Sequence, residues 1–433
     1  MTGLRLVRLS PGDRVALLVP GSVAYVETVI GLLASGIIPV PMDPKLTQAE
    51  RDRLVPYVEP SLTVTDEEAL RELHSRFGSR DGLPLARPMH LTSGTTGAPK
   101  GVYSGVLDPG AAETLLREER ELWGFSADDT NLVLSPMHHS APLRFAMGTL
   151  LAGGRVVVPG AFDVAAATAA IERERPTTMF CVPTHLQRLF AYWDEVGAPD
   201  LTCFRLVAHA GAACPPALKH RVIEAFPERT TWEFYGSTEG QFTACRSEEW
   251  LEHPGSVGRA RPGRTLSVDA DGTIWASVPE HARFSYWRAP EKTDAAWRGD
   301  AFTVGDLGRL DEKGYLYLDG RREDLVISGG VNVYPVEVEN VLATCPGVRE
   351  IAVFGVPDDE WGQRVCAAVV GDVDLDELRA LAKQQLAPAK RPKDYVRLDA
   401  LPHTATGKVK RLELSSLLPR PAGSRTSGGT AAG

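Results

Sequence analysis

Short apolar runs that alternate with helical patterns are the feature that most restricts how this chain can fold. Near its start the chain has an apolar run at 14–19, a helical pattern at 23–35 and an extended run at 37–42. The same order returns later in the segments TNLVLSP, RVVVPG, TTMFCVP and RLVAHAG, with helical patterns between or after them. Strands of this kind are buried on both faces, and the connecting helices cover those faces. The pattern therefore predicts an α/β fold built on parallel sheets.

The pattern changes after Gly258 to short extended runs separated by glycine turns. Two of these turns, Asp271–Gly272 and Lys313–Gly314, are typical of β-hairpins. They predict a β-rich subdomain that follows the α/β part of the chain.

A polar segment at 320–324 separates this region from a compact order of helix, strand, strand and helix. We therefore expect a large N-terminal domain of stacked α/β sheets plus the β-rich subdomain (residues 1–320). A small C-terminal α+β domain is expected over residues 321–418. Residues 419–433 are rich in small side chains and are expected to form a disordered tail.

Charge and composition argue against some classes of function. The chain has 47 Lys and Arg against 56 Asp and Glu, a formal net charge of −9. Nucleic acid binds to net basic faces, so this balance argues against it as a partner. The six cysteines form no C-x-x-C pair, which favours free thiols in a reducing compartment. Because no apolar run has the length of a membrane helix and no signal peptide opens the chain, we expect a cytoplasmic location without a membrane span.

The densest local signal is a glycine- and hydroxyl-rich segment that ends in a lysine. Glycine lets the backbone approach phosphate oxygens, hydroxyls donate hydrogen bonds, and the lysine adds charge. The segment differs from a Walker A loop because Pro99 and Gly101 flank its lysine. The predicted phosphate-binding residues are Thr92, Ser93, Gly94, Thr95, Thr96, Gly97 and Lys100.

This segment, TSGTTGAPKG, resembles the phosphate-binding loop of the adenylate-forming superfamily of acyl-CoA synthetases, peptide-synthetase adenylation domains and firefly luciferases. Motifs that resemble the same superfamily follow in its order: SPMHHSAPL (135–143), YGSTEG (235–240), GSVGRA (255–260), GDLGRLDEKGYLYLDGRRED (305–324), SGGVNVYPVEVEN (328–340) and TATGKVKR (404–411). Several of them are more similar to acyl- and aryl-CoA synthetases than to amino-acid-activating domains. Relatives usually carry several dozen residues before the first strand of this chain. Its first subdomain is therefore expected to lack the usual lid, so that the acyl site is more open or is covered by a partner.

The resemblance implies a site for ATP and Mg²⁺. Glu239 corresponds to the metal carboxylate, and Mg²⁺ prefers such hard oxygen ligands. Thr238 corresponds to a hydroxyl donor to the α-phosphate, and Asp306 to the acceptor of both ribose hydroxyls. The other nucleotide-binding positions that the resemblance implies are Gly211, Ala212, Tyr235 (whose ring would face adenine), Gly236 and Arg321.

The resemblance also implies a mobile C-terminal domain, because two reactions use one site. Lys408 corresponds to the lysine that bridges the substrate carboxylate and the α-phosphate during adenylation. After adenylation the domain would rotate and bring Gly329 and Gly330 to the thiol tunnel. Glu323 corresponds to the hinge, where relatives often have Asp or Lys.

The acyl side of the site is expected beside His139, which occupies the motif position next to the acyl carboxylate, whereas we expect His138 to pack. The pocket should lie between Phe180–Leu189, His209–Cys214 and Tyr235–Thr243. The first two segments contain no Asp or Glu. An α-amino acid needs a buried counter-charge for its ammonium group, so an aryl or medium acyl acid fits better.

We therefore expect an ATP-dependent carboxylate–CoA ligase, which forms an acyl-adenylate and then an acyl thioester with coenzyme A as co-substrate. The alternative acceptor is the phosphopantetheine of a carrier protein, or another nucleophile. A non-catalytic nucleotide-binding protein is disfavoured by the intact Lys100, Glu239 and Lys408, and no residue distinguishes luciferase-like oxygenation. The expected partner is a small carboxylic acid; an acyl carrier protein and a homodimer are left open.

Overall fold

The computed structural model describes residues 8–92, 100–321, 324–328, 331–358, 361–403 and 409–418. Contacts within the chain divide it into two compact units, Met1–Val304 with Arg309–Tyr317 and Gly305–Gly308 with Leu318–Gly433.

The first unit alternates strands and helices and then becomes rich in strands. In chain order its elements are β1 (Arg14–Leu17), α1 (Val23–Ala34), β2 (Ile38–Pro41), α2 (Gln48–Val58), β3 (Leu62–Val64), α3 (Glu67–Phe77), β4 (His90–Thr92), β5 (Lys100–Tyr103), α4 (Pro109–Trp123), β6 (Thr130–Val133), α5 (Ser140–Leu151), β7 (Arg155–Val157), α6 (Val164–Glu174), β8 (Thr178–Cys181), α7 (Pro183–Val196), β9 (Leu206–His209), α8 (Pro216–Ala225), β10 (Thr231–Glu233), β11 (Thr243–Arg246), α9 (Ser247–Glu252), β12 (Arg259–Ala260), β13 (Thr265–Val268), β14 (Ile274–Ser277), β15 (Ser285–Tyr286), α10 (Pro290–Ala296), β16 (Trp297–Arg298) and β17 (Ala301–Phe302).

A seven-stranded sheet in the order β12-β11-β10-β9-β8-β6-β7 is the centre of this unit. The strands β7, β6, β8, β9 and β10 are parallel, and β11 and β12 are antiparallel additions. Because β7 and β8 lie on opposite sides of β6, the winding of the chain reverses between β6 and β8. Open α/β sheets bind ligands at the carboxyl ends of their strands near such a reversal.

The two faces of this sheet have separate apolar cores, because successive side chains of a strand point to opposite faces. On one face Val207 of β9 packs with Leu186 of α7 and Val222 of α8. On the other face Ala208 packs with Phe145 of α5 and Trp123 of α4. Both faces are covered, which explains the continuous apolar runs in the sequence.

Three smaller sheets complete the first unit. The parallel sheet β2-β1-β3 holds the first apolar runs of the chain, the antiparallel sheet β15-β5-β4 borders the predicted phosphate loop, and β13-β14-β17-β16 is antiparallel. The predicted hairpin at Asp271–Gly272 joins β13 to β14, and Gly272 has a φ of +83° that favours glycine.

Two paired strands, β18 (Asp306–Leu310) and β19 (Leu316–Arg321), lead into the second unit. Its remaining elements are β20 (Val326–Ser328), β21 (Val331–Val333), α11 (Pro335–Leu342), β22 (Val348–Asp358), β23 (Gly362–Gly371), α12 (Leu375–Gln385), β24 (Asp394–Arg397) and α13 (Arg411–Ser415). Their sheet has the order β21-β20-β23-β22, and β24 pairs with β23. One face packs on α11 and α12 through Val338, Leu342 and Leu378.

The structure confirms the expected fold class, an α/β unit with a β-rich part and a smaller α+β unit. The domain bounds at 320/321 and the mobility of the C-terminal domain stay predictions, and residues 419–433 lie outside the described part of the chain. All six cysteines are free thiols, as expected. No helix among the described residues is both long enough and apolar enough to cross a membrane.

Candidate active site

Several predicted site residues follow directly from the carboxyl ends of neighbouring parallel strands. Gly211 and Ala212 come after β9, Tyr235 and Gly236 come after β10, and His139 lies between β6 and α5. Since β9 pairs with β10, with Glu233 opposite His209, the two segments that leave these strands begin side by side. Gly211 has a φ of +92°, which favours glycine.

The segment 235–240 forms a tight loop that presents Thr238 and Glu239. The backbone N–H of Ser237 donates to the carbonyl of Gly240 at 2.8 Å, and a β-bridge joins Gly236 to Gln241. A Cβ atom on Gly236 would lie 2.8 Å from the Gly240 carbonyl oxygen, so the loop closes only around a glycine. The ring of Tyr235 stacks on that of Phe242, with centroids 4.8 Å apart.

Tyr286 joins two of the predicted site residues. Its hydroxyl donates to Glu239 Oε1 at 2.8 Å, and Lys100 Nζ lies 5.0 Å from the centroid of its ring. Glu239 and Tyr286 are both buried. Burial and the neighbouring Glu239 carboxylate raise the pKa of Tyr286 well above its ordinary value, so the phenol remains a donor. The structure thus brings the predicted metal carboxylate and the phosphate-loop lysine to one aromatic side chain.

The strand that carries Lys100 is held by its neighbours. Strand β15 pairs with β5, with Tyr286 opposite Val102, and the backbone N–H of Trp287 donates to the Gly101 carbonyl at 2.7 Å. Tyr57 Oη donates to the Trp287 carbonyl at 2.9 Å. Sequence reasoning missed Tyr286, because this pairing joins segments far apart in the chain and no spacing indicates it.

Three histidines connect β4 with the segment before α5. The rings of His138 and His139 lie 4.2 Å apart, and His90 Nδ1 donates to the His138 carbonyl at 3.0 Å. Burial lowers the pKa of His90 to about 4 and also lowers that of His138, although Asp43 opposes the shift of His138. His90 is therefore neutral near pH 7. It lies two residues before Thr92, in the strand that precedes the predicted phosphate loop in the chain; sequence reasoning did not single it out.

An aromatic cluster fills the space between the sheet and helices α4 and α5. Phe180 of β8 lies 5.7 Å from Phe145 and 5.8 Å from Phe234, measured between ring centroids. Trp123 packs against Phe145 at 5.0 Å. Two of the three segments predicted to form the acyl pocket contribute to this cluster, through Phe180 and through Ala210. The surroundings of these two residues are apolar, and the acyl pocket itself stays a prediction.

The other predicted residues are Asp306, Thr92 and Arg321, together with those outside the described part of the chain. Asp306 belongs to the second unit, where it begins β18 and is buried. Thr92 ends β4 and Arg321 ends β19, each described by its backbone alone. The predicted residues outside the described part of the chain are Ser93, Gly94, Thr95, Thr96, Gly97, Glu323, Gly329, Gly330 and Lys408.

Known proteins resemble this chain over most of its length. The family described as AMP-binding enzyme matches residues 2–83 and 89–277, and the AMP-binding enzyme C-terminal domain matches residues 337–408. A feruloyl-CoA synthase from Amycolatopsis sp is 34% identical, over 95% of this chain and 90% of its own. The amide bond synthetase McbA from Marinactinospora thermotolerans superposes with a TM-score of 0.81 at 27% identity, covering 96% of this chain and 92% of that one. ATP-bound MatB from Rhodopseudomonas palustris superposes with a TM-score of 0.80 at 28% identity, covering 96% of this chain and 90% of that one.

These matches confirm the resemblance seen in the motifs and the expected enzyme class, that of AMP-forming acid–thiol ligases. The chain belongs to the AMP-binding enzyme family, in the acyl- and aryl-CoA synthetase branch of the adenylate-forming superfamily.

Proposed function

We propose that this chain activates a small apolar carboxylic acid with ATP and transfers the acyl group to the thiol of coenzyme A. In the first step a carboxylate oxygen bonds to the α-phosphorus, and the bond to pyrophosphate breaks. In the second step the thiol sulfur bonds to the acyl carbon, AMP leaves, and the thiol proton is released. The observation that carries the proposal is that Glu239 and Lys100 both contact Tyr286.

The first step needs alignment and charge stabilisation more than a base, because the attacking carboxylate is already an anion. Lys100 supplies a cation at the end of the phosphate loop formed by residues 92–97. Thr238, in the loop beside Glu239, donates its hydroxyl to the α-phosphate. These groups favour the transition state, in which negative charge builds on the phosphate oxygens.

Glu239 fits the role of a magnesium ligand. Mg²⁺ is often held by one or two protein carboxylates together with substrate phosphates and water. Glu239 is a buried carboxylate whose Oε1 is already oriented by Tyr286. When bound there, Mg²⁺ would neutralise charge on the phosphates of ATP.

The nucleoside-binding residues are assigned from the motifs. The ring of Tyr235, which stacks on that of Phe242, would face the adenine together with Gly211, Ala212 and Gly236. Asp306 accepts hydrogen bonds from the ribose hydroxyls, and Arg321 contacts the nucleotide near the ribose and phosphate. The assignment of the last two rests on the motif resemblance.

The C-terminal domain (321–418) is proposed to move between the two steps. Lys408 bridges the substrate carboxylate and the α-phosphate during adenylation. Rotation about Glu323 then withdraws this lysine and brings Gly329 and Gly330 to the thiol. Such a change needs only a few residues that absorb a difference in φ and ψ.

The apolar surroundings of Phe145, Phe180 and Phe234 support an aryl or medium acyl substrate, with His139 beside its carboxylate. The similarity to a feruloyl-CoA synthase points to the same class of acid. A second acceptor is favoured by the similarity to McbA, an amide bond synthetase. In that case an amine, or a carrier-protein thiol, would replace coenzyme A in the second step.

A two-stage assay tests the proposal. Acid-dependent exchange of pyrophosphate into ATP, measured over a panel of aryl, alkyl and amino acids, should be fastest with an aryl or medium acyl acid. AMP release is then compared with coenzyme A, a carrier protein and a small amine as acceptors. No exchange with any acid would refute adenylation, and release with the amine or the carrier protein but not with coenzyme A would refute the proposed acceptor.

A further inference from the structure

A fully buried lysine lies at the ends of the two strands that precede the predicted nucleotide-binding segments. Lys219 of α8 has 0% of its surface exposed. Its Nζ lies 2.7 Å from His209 Nε2 and 3.2 Å from Glu233 Oε2. Lysines are almost never fully buried unless they are paired, and burying one costs free energy that other interactions must offset. Sequence reasoning gave Lys219 and Glu233 no role.

The two partners of Lys219 occupy equivalent places at the ends of adjacent strands. His209 is the last residue of β9 and Glu233 the last of β10, and they lie opposite each other in the sheet. Each stands two residues before a predicted nucleotide-binding segment, Gly211–Ala212 or Tyr235–Gly236. One ammonium group therefore links the two strands at the point where these segments leave the sheet.

The electrostatics favour a lysine that donates to both partners. Burial, together with the Lys219 cation, lowers the pKa of His209 well below its ordinary value, so its neutral ring accepts a hydrogen bond at Nε2. Burial raises the pKa of Glu233, and Lys219 opposes that shift. The nearby thiols of Cys214 and Cys245 have pKa values raised to about 12, chiefly by burial, and add no charge near pH 7.

The link lies on the face of the sheet away from the aromatic cluster. Phe234, the neighbour of Glu233, and Ala208, the neighbour of His209, both belong to that cluster. Because side chains alternate along a strand, Glu233 and His209 point the other way, toward α8. Lys219 thus lies on the face of the sheet opposite the aromatic cluster, and it cannot contact an acyl chain bound at that cluster.

We propose that Lys219 is a positioning residue for nucleotide binding. By holding His209 and Glu233 together it fixes the spacing of the segments 211–212 and 235–236, between which the adenine and ribose would bind. This inference rests on the proposed function, because it assigns those segments to ATP.

A double variant separates positioning from stability. In Lys219→Met/Glu233→Met, apolar side chains of similar size replace the ion pair, a change that is often neutral or stabilising for the fold. Binding of ATP with Mg²⁺ is measured by isothermal titration calorimetry on the full chain without acid, and unfolding is measured in urea. We expect stability no lower than wild type and a Kd for ATP raised about tenfold, since misplacement of a binding group by an ångström can cost far more than this.

Asp129→Asn is the matched control. The buried carboxylate of Asp129 forms an ion pair with the exposed side chain of Arg205, beside the amino ends of β6 and β9 in the same sheet. Its loss should lower stability and leave the Kd for ATP within about twofold of wild type, a change of less than 0.5 kcal/mol. If this control weakens ATP binding as much as the double variant does, the effect is a general loosening of the sheet and the inference is overturned.

The outcomes also separate the inference from the proposed function. ATP binding by a folded double variant within twofold of wild type would overturn the positioning role and leave the proposed function intact. Wild-type protein that does not bind ATP would overturn both. Should the double variant not fold, Glu233→Gln decides, because its amide oxygen can still accept from Lys219. Near wild-type affinity in Glu233→Gln together with a tenfold loss in Glu233→Ala supports the link, and equal affinities of these two variants overturn it.

Discussion

The hydroxyl of Tyr286 offers the sharpest test of the candidate active site. Tyr286→Phe removes the donor to Glu239 Oε1 and keeps the ring that faces Lys100. A hydrogen bond to a charged group contributes about 1.5–3 kcal/mol, and each 1.4 kcal/mol is a factor of ten in rate. If Glu239 must be held in place for adenylation, we expect acid-dependent ATP–pyrophosphate exchange to fall about 10- to 100-fold.

The dependence on Mg²⁺ tells whether the hydroxyl acts through Glu239. A Glu239 carboxylate without its donor should bind the metal less well, so half-maximal exchange should need a higher Mg²⁺ concentration. Tyr315→Phe is the matched control, because it removes a similar hydroxyl that donates to Glu249 at 3.4 Å. Exchange by Tyr286→Phe within twofold of wild type, at an unchanged Mg²⁺ requirement, would refute the reasoning.

Three further predictions concern Lys408, the glycine loop and the stability of the sheet. Lys408→Ala should nearly abolish ATP–pyrophosphate exchange, whereas Lys410→Ala, which removes a surface lysine paired with Glu413, should not; equal exchange by both variants would contradict the assigned role. Gly236→Ala places a Cβ 2.8 Å from the Gly240 carbonyl and should raise the KM for ATP by roughly tenfold, about 1.4 kcal/mol of lost binding; an unchanged KM would show that the loop adapts. Burial raises the pKa of Asp129, but hydrogen bonds from Arg205 and Thr177 lower it by more, so the pKa in the folded protein lies below its ordinary value. The ionised carboxylate therefore stabilises the fold above the pKa of the unfolded state, and this stabilisation is lost as the pH falls through the folded pKa. Asp129→Asn should therefore lower the free energy of unfolding by about 2–3 kcal/mol at pH 7, with a difference that shrinks in acid, and a pH-independent difference in urea melts would contradict this.

The predicted acyl pocket shows which features short sequence patterns can predict. The absence of Asp and Glu from Phe180–Leu189 and His209–Cys214 predicted an apolar acid, and the structure gives Phe180 aromatic neighbours from α5 and from the residue after β10. The sequence did not indicate that Phe145 and Phe234 would be those neighbours. Contacts of this kind depend on the order of the strands, which short-range patterns do not encode.

The buried charges show the same limit. The segment His209–Cys214 was predicted to border the acyl pocket, but the ring of His209 points toward α8 and contacts Lys219. A lysine in an amphipathic helix normally indicates a solvated face, and only its position over the ends of β9 and β10 explains why Lys219 is fully buried.

The sequence by itself determined the alternation of strands and helices, the glycine turns and the family, because hydrophobic period, backbone freedom and phosphate-binding chemistry are properties of short segments. Only the tertiary structure decided which side chains meet. It placed β15 beside β5 and so brought Tyr286 to both Glu239 and Lys100. The physical reason is that strand pairing and register bring together residues far apart in the chain, and their side chains become neighbours only when the sheets have formed.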